Sequence, residues 1–200
     1  MKEKILEIRW HGRGGQGARL AALFFGEAVM STGKYIQAFP EFGPERMGTP
    51  VVAYNRISDF PIRNHSGIKN PDILVILDPT LFSACDVLTG LKDDGIILIN
   101  TAETPDLVRE KLGLQNKRNK VWTVDASQIS LSLIKRDIPN TPMLGALVKV
   151  INHYQLLEIE FSSVLNSLRG KFSQKFRGKE ELIEGNLSSV RRAYEEVRGS

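Results

Sequence analysis

Short apolar runs rich in β-branched residues alternate with helix-length segments through the first two thirds of the chain, the pattern of βαβ units in a mostly parallel sheet. Ile5–Trp10 reads as the first strand. Ala18, Ala21, Ala22, Phe25, Ala28 and Val29 then recur at helical spacing, as the buried face of a helix that Gly33 closes. Lys34–Phe39 is expected to be the second strand, and a Pro/Gly-rich loop (Pro40, Gly43, Pro44, Gly48) leads from it into Thr49–Ile57. Ile73–Leu77, Gly95–Ile99 and Val121–Val124 are apolar without alternation, as strands covered on both faces should be, and are predicted to form the centre of the sheet. Leu81–Leu88, Pro105–Lys111 and Ser127–Lys135 are the intervening helices, the second with proline in its first turn, where a missing N–H does no harm.

From Pro142 onward the pattern is helical only. Met143–Tyr154 is apolar nearly all round and is expected to be buried, while Glu158–Leu168 is amphipathic. Ile183, Leu187, Val190, Tyr194 and Val197 make one apolar stripe on a last helix, too short for a coiled coil and suited to packing on the body. The expected architecture is α/β, a Rossmann-like, mostly parallel sheet flanked by helices, with a helical C-terminal extension, forming a single domain over residues 1–200.

Composition mainly excludes. A 200-residue chain that is 42% hydrophobic and 25% charged can bury a core without disulfide or metal staples. Its single cysteine, Cys85, and three dispersed histidines, His11, His65 and His153, supply neither the four thiolates of an iron–sulfur cluster nor a zinc set. No metal site is expected, so any redox metal must sit on another chain. The formal charge of +4 is too small to imply nucleic acid, yet suits a phosphorylated ligand. No apolar run approaches the roughly 20 residues of a membrane span, and the N-terminal MKEKILEIRW lacks the features of a signal peptide. The expectation is a cytoplasmic protein without membrane contact.

The candidate chemistry lies where the first strand ends. Gly12, Gly14 and Gly17 satisfy G-x-G-x-x-G between a predicted strand and a predicted helix, where close backbone approach and free helix N–H groups favour an anion. Arg13 and Arg19 add charge nearby, Gly15 leaves room, and Gln16 is placed to hydrogen-bond a ligand. The alternative is a turn that only packs the helix on the sheet. A dinucleotide reader would also carry an acid at the end of the second strand, and Lys34–Phe39 has none. Asp78, Asn100 with Thr101, and Asp125 follow the central strands. Helix capping is the first expectation for Asp78 and Asp125, whereas Asn100 and Thr101 divide evenly between capping and a ligand crevice.

Three segments together resemble the gamma chain of the pyruvate:ferredoxin oxidoreductases, within the wider 2-oxoacid:acceptor oxidoreductases. They are Trp10-His-Gly-Arg-Gly-Gly-Gln-Gly17, Gln37-Ala-Phe-Pro-Glu-Phe-Gly-Pro-Glu-Arg-Met-Gly-Thr-Pro-Val51 and Asn140-Thr-Pro-Met-Leu-Gly-Ala-Leu147. The resemblance implies a complex that converts a 2-oxoacid and coenzyme A to acyl-CoA and CO2 while reducing ferredoxin. It implies partners of alpha, beta and ferredoxin-like delta type that hold thiamine diphosphate, magnesium and iron–sulfur clusters. This chain would hold no cofactor of its own and no catalytic residue, and would help bind coenzyme A through Gly12–Gly17, Arg46, Asn100, Thr101, Asn140 and Thr141. The family loop commonly has a second basic residue where Met47 stands, so only Arg46 is carried over.

Plainer readings accompany these. Arg46 either grips a phosphate or carboxylate, or pairs with Glu45 or Glu41; His11 reads as a satisfied turn histidine, and Cys85 as a small buried hydrophobe. Arg169, Lys171, Lys175, Arg177 and Lys179, interleaved with Phe172 and Phe176, read first as a solvated linker, then as a docking loop, and last as a binder of single-stranded nucleic acid. The competing functions are a self-sufficient NAD(P)-dependent dehydrogenase and a nucleotide-sensing scaffold.

Overall fold

A computed structural model describes residues 5–41, 47–64 and 66–199. The central apolar runs form parallel strands β4 (Ile73–Ile76), β5 (Ile96–Asn100) and β6 (Lys120–Val124), with β1 (Ile5–Arg13) parallel to β4. Two further long strands complete one side, β2 (Tyr35–Pro40) and β3 (Pro50–Ser58), and a short β7 (Arg198–Gly199) closes the other. The order is β2-β3-β1-β4-β5-β6-β7, with β3 and β7 running against the rest. The second strand therefore does not lie beside the first, because β3 folds back between them. β1 also outruns its predicted end at Trp10, since β3 pairs with it as far as Arg13 opposite Pro50.

The helices are α1 (Ala18–Met30), α2 (Leu81–Ala84), α3 (Pro105–Lys111), α4 (Ala126–Ile134), α5 (Asn140–His153), α6 (Phe161–Lys175) and α7 (Glu180–Glu196). Strand alternation sorts the sheet into two cores. Ile73, Val75, Ile96, Leu98 and Val124 face the large one, shared with α1 and α4 to α7. Leu74, Ile76, Ile97, Ile99 and Val121 face a smaller one with Leu81 and Val108 of α2 and α3. The predicted helix Leu81–Leu88 stops after four residues, so Cys85 ends α2 in extended backbone and is half-buried against the smaller core.

α5 is buried on nearly every side, as its composition predicts. Gly145 makes that possible, because a Cβ there would run into the Val190 carbonyl of α7. α6 begins later than expected and runs seven residues beyond Leu168, so Arg169–Lys175 is helix rather than linker. Val164, Leu168 and Phe172, four apart, form its buried side. Trp10 and Asn55 latch β1, β3 and α1 together: the indole donates to Asn55 Oδ1 at 2.7 Å, and Asn55 Nδ2 donates to the Ala22 carbonyl at 2.9 Å.

Candidate functional site

The glycine turn divides into two halves. Gly12 is still strand, paired opposite Val51. Gly14 continues the ladder, its N–H donating to Thr49 O at 2.8 Å and its carbonyl accepting from Gly48 N–H at 3.0 Å. Gly15 and Gly17 have φ of +97° and +80°, conformations that suit glycine, and Gly17 begins α1.

On the side facing α2, the turn is bonded to itself and to β4. Arg13 N–H donates to Gln16 Oε1 at 2.8 Å, and Gln16 N–H returns to the Arg13 carbonyl at 3.0 Å. Asp78, just past β4, accepts from Arg13 Nε at 3.1 Å and Gln16 Nε2 at 2.8 Å on one oxygen. Its other oxygen accepts from the Thr80 amide and hydroxyl at 2.9 and 2.6 Å. Although burial pushes the other way, these hydrogen bonds from Thr80 and Gln16, with the Arg13 charge, leave the Asp78 carboxyl below its usual range. Asp78 thus ties the turn to the sheet, and Thr80 rather than Asp78 occupies the cap position of α2. Asp125 does cap, accepting from Gln128 N–H at 2.9 Å at the start of α4.

Farther down the same face of β1, buried Arg9 donates through Nε to His11 Nε2 at 2.9 Å and through Nη2 to the Val87 and Thr89 carbonyls. His11 is therefore a strand histidine inside the fold. Burial, and secondly the Arg9 charge, depress its pKa to about 4, which keeps it neutral and able to accept.

On its other side the turn opens onto a cleft of about 230 Å³. Gly15, Gln16 and Gly17 line it together with Asn140 and Thr141 of α5. Asn140 Nδ2 donates to the Gly17 carbonyl at 3.2 Å, joining the beginnings of α1 and α5. Neither helix has a side-chain cap or an acid in its first turn, so both present partial positive charge to the same space. The remaining wall is mostly apolar, with Ile134, Ile138, Phe172 and Leu182, and it carries two cations, Arg136 and Lys175. Lys135, left-handed at φ 57°, ends α4 just before Arg136. Desolvation holds the Lys175 ammonium below the usual lysine pKa range.

The structure thus brings Gly15, Gln16, Gly17, Asn140 and Thr141 together. Gln16 enters as a wall, with both side-chain polar atoms already engaged by Arg13 and Asp78. Asn100 does not join them: it donates to Leu77 O and Ser127 Oγ and accepts from Ser127 N–H, locking β4, β5 and α4. Thr101 lines a separate groove with Pro79, Phe82 and Val108. Arg46 lies outside the described residues. Arg136 and Lys175 join the cleft without being among the residues the sequence singles out as ligand contacts, and Lys175 lies in helix instead of the expected linker. The four-residue spacing of Val164, Leu168 and Phe172 signals the helix that carries Lys175, but no local signal marks Arg136.

Among the described residues no three His, Cys, Asp or Glu side chains are grouped to hold a metal ion, and no helix is long and apolar enough to cross a membrane. The end of the second strand is not beside the glycine turn's own strand, since β3 and β4 are the neighbours of β1. The acid beside the turn is Asp78, and its oxygens are taken by Arg13, Gln16 and Thr80.

Comparison with known proteins agrees with the three-segment resemblance. A pyruvate synthase subunit PorC from Thermotoga maritima is 47% identical over 198 residues, covering 99% of this chain and 97% of that one. The common subunit gamma of the pyruvate/ketoisovalerate oxidoreductases of Pyrococcus furiosus is 44% identical, covering 96% of this chain and 97% of that one. The crystal structure of the pyruvate oxidoreductase subunit PORC from Thermotoga maritima has the same α/β fold, with a TM-score of 0.80, 42% identity and 99% coverage of both chains. The family model for pyruvate ferredoxin/flavodoxin oxidoreductase matches residues 7–196, and the chain belongs to that family.

Proposed function

We propose that this chain is the gamma-type subunit of a 2-oxoacid:ferredoxin oxidoreductase acting on pyruvate, and that it helps bind coenzyme A and assemble the complex. The observation that carries the reading is similarity over nearly the whole chain to subunits named for pyruvate synthase and pyruvate/ketoisovalerate oxidoreductases. The cleft supports its ligand half, because two uncapped helix N-termini and the Gly15–Gly17 backbone face a space suited to a phosphorylated molecule.

In this reading the chain binds and orients while its partners carry the redox chemistry. Oxidative decarboxylation needs thiamine diphosphate, with magnesium, to stabilise a carbanion and iron–sulfur clusters to take electrons singly. One cysteine cannot ligate a cluster, so these groups belong to the alpha-, beta- and delta-type subunits, and ferredoxin meets the complex there. Gly15, Gly17, Asn140 and Thr141 hold the anionic part of coenzyme A by backbone donors, helix dipoles and short polar side chains.

Reconstitution tests the proposal. The other subunits are assembled with and without this chain and assayed for pyruvate- and coenzyme A-dependent reduction of a viologen dye. Activity is expected only when the chain is present, and equal activity without it overturns the subunit reading. Gly17→Ala, strained at its positive φ and set against Asn140, is expected to raise the KM for coenzyme A by roughly tenfold with kcat nearly unchanged. Saturable micromolar binding of NAD to the free chain would instead favour a dehydrogenase.

A further inference from the structure

We propose that Arg136 and Lys175 form an anion-binding wall of the α1–α5 cleft and grip the phosphate groups of the ligand that occupies it. This deepens the reading of a coenzyme A subunit and rests on it only for the name of the ligand.

The charge on the cleft wall carries the argument. Several basic side chains of the sheet and helices pair with carboxylates, Arg13 with Asp78, Arg56 with Glu7, Lys92 with Asp72 and Arg192 with Glu196. The basic stretch itself divides the same way. Arg169 pairs with Glu184 of α7 at 2.5 Å and Lys171 with Glu27 of α1 at 2.9 Å, so these two fasten α6 to the body. Lys175, one turn farther along, lies over the rings of Phe24 and Phe176 at 5.5 and 5.3 Å and has no ion pair among the described residues. Arg136 likewise pairs with no carboxylate among them.

Among the described residues no Asp or Glu lines the cleft. The charge it presents is thus of one sign, from two cations and two helix N-termini set beside apolar side chains. A cation in such surroundings interacts more strongly with an incoming anion than one in bulk solvent. An arginine supplies a fork for bidentate phosphate contact, and a lysine a compact point charge. A ligand with several phosphates matches that spread of donors better than a single carboxylate would.

Calorimetry on the full chain with inorganic pyrophosphate and with coenzyme A tests this. Lys175→Ala and Arg136→Ala are each expected to weaken pyrophosphate binding about tenfold and flatten its salt dependence. Lys175→Arg should retain binding within about twofold, and so should Lys171→Ala, whose partner is Glu27. Pyrophosphate affinity unchanged in both alanine variants, or no pyrophosphate binding by the full chain, overturns the inference. If pyrophosphate binds in this variant-sensitive way and coenzyme A does not bind, the wall stands and the coenzyme A reading falls. If coenzyme A binds with an affinity insensitive to both alanine changes, the wall falls and the coenzyme A reading stands.

Discussion

The two sides of the glycine turn are built on opposite terms. Toward α2, polar groups are spent on one another: Arg13, Gln16, Asp78 and Thr80 close a network, and below it Arg9 and His11 satisfy each other inside the sheet. Toward α5 and α6, helix N-termini lack caps, and two cations lack carboxylates among the described residues. The first side supplies rigidity, and the second leaves binding capacity uncommitted. A phosphate-type glycine motif can therefore be half strand and half cradle, with Gly12 and Gly14 paired to β3 and the residues just before it while Gly15 and Gly17 face the cleft.

That contrast breaks most visibly with pH. His11 titrates near pH 4 in the fold and near 6.5 when unfolded, so the unfolded chain binds more protons between those values and stability falls as pH drops through that window. The loss should reach about 3 kcal/mol by pH 4, measured by urea unfolding, and His11→Gln should flatten it. Asp78 acts lower: its pKa is depressed, so its contribution is present above pH 3.8 and is lost as pH falls through the folded value. An equally steep pH dependence in His11→Gln would place the titrating group elsewhere.

Mutation sharpens the same contrast in smaller steps. Asp78→Ala removes the carboxylate that accepts from Arg13, Gln16 and Thr80 and should cost about 2 kcal/mol of stability, read as a lowered Tm. Asn100→Ala, which frees the buried Leu77 carbonyl, should cost about 1–2 kcal/mol while leaving coenzyme A affinity unchanged, since Asn100 lies outside the cleft. Lys175→Ala should change stability by less than about 0.5 kcal/mol, its effect appearing in ligand binding alone. A large loss of stability in Lys175→Ala would make it part of the scaffold and erase the distinction between the two sides.

The central strands were legible because a strand covered on both faces must be apolar at every position, and Ile73–Ile76, Ile96–Asn100 and Lys120–Val124 lie close to where that rule puts them. The position of β2 was not legible, since its local pattern is the same whether it pairs with β1 or with the returning β3. α6 was cut short at Leu168 because its later turns are basic and contain Gly170. Their helix is held by partners distant in sequence, Glu27 and Glu184 among them.

By itself the sequence determined the α/β alternation, the glycine turn at the end of the first strand and the Asn140–Leu147 segment, because periodicity and backbone freedom are local properties of neighbouring residues. Only the tertiary structure decided that Asn140 meets Gly17, that Asp78 locks the turn instead of capping a helix, and that Arg136 and Lys175 share a cleft with both. Those residues lie far apart along the chain, and the order of the strands and the packing of α4 to α7 set which of their charges meet a partner.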